Sequence, residues 1–443
     1  MVENLKKKES ILPILVGIFF GLIYFKLPIN IFIVLFLGFI IMVATLYNVK
    51  IGIYLSVFLM PYLPFTLALI FMLFVFFAYI YKGIFKKIEP FSRDPIDIPI
   101  ALFIITIIIS TLTSIDPKGS LRDLVFHLIS IGFVFVTVNN IKNKKDLNIL
   151  FNILVITATL VALYGIYQYK IQLKTTDIWL SKNTSSGIVT RVFSVFDNPN
   201  VLAEYLIMIL PISMSLFYNS KKVYKKLTFL LTTVILAGGL GLTYSRGGWL
   251  GFIFSVLIFV FLVEKRLFFV FIPLGILILP FLPPTILNRI RSINDLGDSS
   301  NLSRFQIWLT TIEIIKDNWI AGVGLGSKAF MHAYRSYSSE TFTYYHSHNT
   351  YLQVAAEMGI GGVIVFLMLI FIIYKYTVKN LIKYEDRWIK VSAAGVLSGL
   401  SAVFIHSLVD DIFFMPETII TFWTLISFIL VLTKISKNAK EIS

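Results

Sequence analysis

A few short stretches of this 443-residue chain hold the side chains able to do chemistry. Tyr244-Ser245-Arg246-Gly247-Gly248-Trp249 places an arginine between two apolar runs with scarcely any loop. A guanidinium at such a boundary either snorkels as an anchor or holds an anion. Its planar fork suits phosphate, and the glycines let a ligand approach the backbone. Arg191 precedes Asp197-Asn198-Pro199-Asn200, where Asn-Pro-Asn reads as a helix cap and turn. Arg191 is open to a structural pairing with Asp197. Arg304 is expected to open an amphipathic helix over Ser303 to Asn318, whose Phe305, Trp308, Leu309, Ile312 and Ile315 recur at helical steps. Asn301 or Ser303 is its expected cap. A helix start is a poor place for a cation, so Arg304 is either a solvated charge or the partner of a bound anion.

His346-Ser347-His348-Asn349-Thr350-Tyr351-Leu352 has the His-x-His spacing of a metal site, but no carboxylate or third histidine is adjacent in sequence. No metal is assigned on that ground. An imidazole at the membrane surface suits general-base work; capping without chemistry is the plainer alternative. Glu357 either orients this segment or packs within a helix. His406, Asp410 and Asp411 end the penultimate apolar run, as functional groups or as interface markers, and His127 reads as structural. Gly322-Val323-Gly324-Leu325-Gly326-Ser327-Lys328 fails the spacing of a nucleotide phosphate loop and reads as a turn.

The elements that must position these groups are set by composition. Hydrophobic residues make up 57% and charged ones 14%, with 41 Phe and a mean hydropathy of +0.85. Soluble domains carry about 25% charged residues, so the chain reads as an all-α polytopic membrane protein. Thiol chemistry is excluded, since there are no cysteines. Apolar runs fall near 11–27, 29–47, 49–63, 65–81, 97–113, 121–139, 148–167, 199–217, 226–244, 247–263, 267–283, 350–374, 388–409 and 417–433. That predicts fourteen transmembrane helices, or twelve if the proline-punctuated stretch 29–63 holds fewer. One integral membrane domain covers 1–443, with 284–349 as a large extracytoplasmic loop containing short helices, and a second outer loop covers Gln168–Pro199.

Alternating these runs from a cytoplasmic start puts most of the 39 basic residues on one side, which then carries the entire +15 excess. By the positive-inside bias both termini are cytoplasmic and both long loops lie outside. The partner of this charge is the lipid bilayer; nucleic acid is set aside. Met1–Ser10 lacks a cleavage site and reads as a cytoplasmic lead.

Five pieces in order resemble the O-antigen ligase and polymerase superfamily of bacterial membrane glycosyltransferases. They are Arg191 with Asp197-Asn198-Pro199-Asn200, Ser245-Arg246-Gly247-Gly248, Arg304 with Trp308, Gly322-Val323-Gly324, and His348-Asn349 with Glu357-Met358-Gly359. The resemblance covers roughly Arg191 to Asp411. It implies a fold of the GT-C kind, placement in the cytoplasmic membrane, and a glycan donor on a polyprenyl diphosphate, here undecaprenyl diphosphate. The acceptor would be a hydroxyl of a glycan, glycolipid or protein on the outer face. By that resemblance Arg246 and Arg304, with Arg191, grip the diphosphate and His348 deprotonates the acceptor. His346, Asn349 and Glu357 support it. Neither cofactor nor metal is implied, and the anomeric carbon is inverted. The alternative is a lipid-linked oligosaccharide flippase or other polytopic transporter, which would line a central cavity with charge where these runs keep it at their rims.

Overall fold

The computed structural model describes residues 16–86, 96–173, 190–278, 280, 284–291, 299–338 and 343–442. The expected cytoplasmic lead and the middle of the Gln168–Pro199 loop lie outside them. In order, the helices are α1 (Val16–Lys26), α2 (Ile29–Tyr47), α3 (Val49–Leu59), α4 (Phe65–Lys86), α5 (Asp97–Leu112) and α6 (Pro117–Asn140). They continue with α7 (Lys144–Lys170), α8 (Pro199–Asn219), α9 (Val223–Leu242), α10 (Arg246–Val263), α11 (Phe268–Ile278) and α12 (Pro284–Arg291). The last five are α13 (Ser299–Asp317), α14 (Ser327–Tyr337), α15 (Thr350–Thr377), α16 (Arg387–His406) and α17 (Pro416–Ile442).

All fourteen apolar runs contain a helix, and among the described residues ten are long and apolar enough to cross a bilayer. α1, α3, α5 and α11 are shorter: α3 and α11 have 11 residues each, about 16 Å at 1.5 Å per residue, roughly half of a hydrocarbon core. The chain is an all-α polytopic membrane protein, with ten full-length helices and four shorter apolar ones among the described residues. A helix satisfies its own backbone polar groups in lipid; its ends need other partners. Side-chain caps supply them at the starts that matter here. Asn198 accepts from Asn200 N, Ser245 from Gly248 N, Asn349 from Tyr351 N and Leu352 N, and Asp386 from Ile389 N. Pro199 occupies the first helical position of α8, where its missing N–H costs nothing.

α8, α16 and α17 form the buried centre, and α2 lies at the periphery. Small residues bring backbones together there, the usual means of close helix contact in lipid. A Cβ on Gly399 of α16 would stand 2.2 Å from the Met208 carbonyl of α8, and one on Gly251 of α10 would stand 2.7 Å from the Ala402 carbonyl of α16.

Two expectations for the large loop are corrected. Its main helix starts at Ser299, so Arg304 sits in the second turn, and Asn301 and Ser303 lie inside the helix instead of capping it. The buried stripe of α13 is Ile307, Thr311 and Ile314, whereas Phe305, Leu309 and Ile312 are exposed. The helix is apolar on two faces: one packs on Val323, Phe330 and Tyr334, and the other is left facing outward. The glycine segment is a turn, as expected, with a definite partner. α15 breaks at Gly359 (φ 63°), and Val323 N and Gly324 N donate to the freed carbonyls of Ala356 and Glu357 at 2.8 and 3.1 Å. A Cβ on Gly322 (φ +71°) would come within 2.3 Å of that same Glu357 carbonyl, so no side chain fits. This clasp fixes the loop helices against α15.

Candidate active site

One end of the bundle gathers the starts of α8, α10 and α15 and the end of α16 around a cavity of about 510 Å³. Arg191, Arg246, Arg289 and Arg304 line it, with His346, His348 and His406. Among the described residues lining it there is neither aspartate nor glutamate. Arg191, Arg246 and Arg289 are buried and Arg304 half-buried.

Each guanidinium is tethered. Arg191 Nε donates to Thr243 O at 2.9 Å and its terminal nitrogen to Asn200 Oδ1 at 3.1 Å. Arg246 donates to Asn301 Oδ1 at 2.9 Å, Arg289 Nε to Tyr244 O at 3.3 Å, and Arg304 to Ser300 Oγ at 3.0 Å. These partners are neutral oxygens, which orient the groups. Burial, then the charges of Arg289, Arg304 and Arg246, pull the Arg191 guanidinium down to about 9. Like charges held together in this way favour an anion between them. The starts of three helices add their positive ends.

The histidines sit on the turn leading into α15. His348 adopts a left-handed φ of 51°, and its Nδ1 lies 3.1 Å from Asp410 Oδ1. Asn200 Nδ2 donates to the other oxygen of Asp410 at 3.0 Å, and Asp411 N donates to Oδ1 at 3.0 Å. Burial raises the Asp410 carboxyl, but the hydrogen bond to His348 and the surrounding histidines outweigh it and hold the group below the ordinary carboxylate range. An ionised Asp410 fixes the proton of His348 on Nδ1 and leaves Nε2 as the basic nitrogen. His346 stacks on Phe414, with centroids 4.2 Å apart, and its Nδ1 accepts from His348 N at 3.3 Å. Burial, then the neighbouring His348, push His346 well below the usual imidazole range, so it stays neutral.

The sequence-predicted residues divide cleanly. Arg191, Arg246, Arg304, His346 and His348 share the cavity. Asn349 and Glu357 do not line it. Asn349 caps α15 and donates to Leu408 O at 3.1 Å. Glu357 acts at a distance: it accepts from Gln353 Nε2 at 2.7 Å, and Gln353 Oε1 accepts from Ser347 N at 2.7 Å, pinning the histidine turn. The pairing of Arg191 with Asp197 gives way to Asn200 and Thr243. Asp410 supplies the carboxylate that the histidines lacked in sequence, so that His346, His348 and Asp410 offer three ligand atoms within 4.8 Å of one another. A divalent cation fits that donor set chemically, so the local-sequence argument against a metal does not survive folding.

Arg289 escaped the sequence reading because it stands in no motif; it lies in the last turn of α12. His406 reaches the cavity from the end of α16, and its Nδ1 lies 3.3 Å from buried Glu204 Oε1, off the hydrogen-bond axis. A Cβ on Gly247 would meet the His406 ring at 3.0 Å, which explains the first glycine after Arg246.

No curated protein matches the chain. Residues 231–367 match the family model described as O-antigen ligase, a segment that holds Arg246, Arg289, Arg304, His346 and His348 but not Arg191 or Asp410. Over that segment the chain is similar to the O-antigen ligase family, in agreement with the superfamily that its motifs resemble.

Proposed function

We propose that this protein is a membrane glycosyltransferase of the ligase or polymerase type, which moves a glycan from a polyprenyl-diphosphate carrier to a hydroxyl acceptor. The observation that carries the reading is the cavity itself: four tethered arginines, no lining carboxylate among the described residues, and one imidazole oriented by a buried aspartate. The match of residues 231–367 to the O-antigen ligase family supports the class of reaction. The exposed apolar face of α13, Phe305, Leu309 and Ile312, supports a donor arriving from the lipid, since it lets the helix bearing Arg304 rest in the leaflet.

In this reading the acceptor hydroxyl gives its proton to His348 Nε2 as its oxygen bonds to the anomeric carbon. The bond from that carbon to the diphosphate oxygen breaks, and the electron pair leaves with the diphosphate. Arg246, Arg289, Arg304 and Arg191 meet the charge that develops there, so the barrier is lowered by fixed donors already in place. Attack opposite the leaving group inverts the anomeric carbon. Asp410 balances the imidazolium that forms. The four guanidinium groups supply the positive charge, so transfer is expected to proceed with chelator present. The site faces outward under the positive-inside orientation.

The test is release of polyprenyl diphosphate by the purified protein given lipid-diphosphate glycan and acceptor. His348→Ala is expected to lower the rate by about 10²–10⁴ while donor binding persists. Full activity of that variant would remove the proposed base, and strict dependence on a divalent ion would shift the histidines and Asp410 to the role of metal ligands.

A further inference from the structure

The opposite end of the bundle carries a second recess. A groove of about 690 Å³ lies between α7, α8 and α9, with Trp388 of α16 at its edge. Its mouth is built from Lys144, Lys145, Lys221, Lys222 and Lys225, and no carboxylate lines it among the described residues. Lys144 is paired with Asp386 at 2.5 Å. Among the described residues, Lys145, Lys221, Lys222 and Lys225 have no carboxylate within ion-pair distance, and Lys222 rests over the Tyr224 ring. Lys145 lies in the first turn of α7 and Lys225 in that of α9, where the helix dipole opposes a cation. Cations placed against both each other and two helix starts are stabilised by an anion.

Depth distinguishes the source of that anion. On α7 the lining runs from Lys144 through Asn148 and Asn152 to Val155 and Ile156, a distance of about 18 Å along the axis. Phe229 and Thr232 of α9 face it from the other wall. The groove therefore begins among charged helix ends and continues into the apolar part of the span, where Ile156 is exposed. A free phosphate would use the mouth alone. A molecule with an anionic head and a hydrocarbon tail matches the whole length.

We propose that this groove binds an anionic phospholipid of the surrounding bilayer, its phosphate among Lys145, Lys221, Lys222 and Lys225 and an acyl chain between α7 and α9. The inference is independent of the reaction assigned to the arginine cavity. Basic recesses between membrane helices are natural headgroup sites. The full-length protein in neutral detergent is titrated with phosphatidylglycerol or with phosphatidylcholine of the same chains, and retained lipid is counted by native mass spectrometry. Phosphatidylglycerol is expected to be retained at roughly tenfold lower concentration or better. At about fivefold per lysine, the Lys221→Ser, Lys222→Ser, Lys225→Ser variant should lose most of that preference. Equal retention of the two lipids by the unaltered protein overturns the proposal without recourse to any variant. So does a triple variant that keeps the preference, or displacement of the lipid by excess inorganic phosphate, which would mark a soluble-anion site.

Discussion

The two ends of this bundle are both cationic, yet they are built on opposite plans. At one end the positive groups are arginines, mostly buried and each held by a neutral oxygen, which for all but Arg304 comes from another segment of the chain. At the other they are lysines on exposed helix ends with little to hold them. A guanidinium fixed by its own hydrogen bonds loses little freedom when it binds, and its fork matches phosphate oxygens. A lysine is a mobile point charge that tolerates many poses. The first plan suits one transition state and the second suits a class of lipids. Net charge alone would not tell them apart; burial and tethering do.

The sharpest way to break the comparison is to unsettle what orients the base. Asp410→Asn keeps the shape of the side chain but removes the charge that fixes the proton on His348 Nδ1. Transfer is expected to fall about 10²–10⁴, the range for losing general-base catalysis, with donor affinity nearly unchanged because Asp410 lies behind the histidine. A variant that keeps its rate would show that the carboxylate is only structural. Next comes a swap of cation type at both ends. Arg246→Lys keeps the charge and loses the fork and its hold on Asn301, and should cost about 10²–10³ in rate, as for one lost transition-state donor. Lys222→Arg at the far end should leave the rate within about twofold. Equal tolerance at the two positions would mean that the arginine end is no more ordered than the lysine end.

Much of this organisation was legible in sequence because lipid leaves few choices. Apolar runs must be helices, and the Asn198 cap of α8 announces itself in the Asn-Pro-Asn segment. Arg246 was visible because an arginine between two apolar runs is costly without a purpose. Asp410 was only half legible: it stands 62 residues from His348, and their pairing depends on the end of α16 meeting the start of α15. Arg289 carried no local signal, since its value comes from the three arginines it joins. The kink at Gly359 was likewise hidden, because a glycine in an apolar run reads as packing until its φ is known.

The smallest effect separates two adjacent carboxylates within the arginine end. Burial, then the charges of Asp410 and Glu204, raise Asp411 to about 7, whereas its neighbour Asp410 is held down by histidines. A carboxyl whose pKa is higher in the folded chain binds its proton more tightly there. Its contribution to stability is therefore complete in acid and is lost as pH rises toward and through 7. Asp410 has the opposite sign: its contribution is present above the ordinary carboxylate range and is lost only on acidification below it. His346, held neutral by burial, is also lost on acidification, so it works against Asp411 between about pH 5 and 6.5 and masks part of the slope in the unaltered protein. The difference between wild type and Asp411→Asn removes that overlap. Between pH 5 and 8 the wild type should lose roughly 2 kcal/mol relative to the variant, read as a falling gap in melting temperature in detergent. A gap that stays constant would mean that Asp411 is already ionised in the folded chain, and that the arginines neutralise their surroundings further than burial and pairing imply.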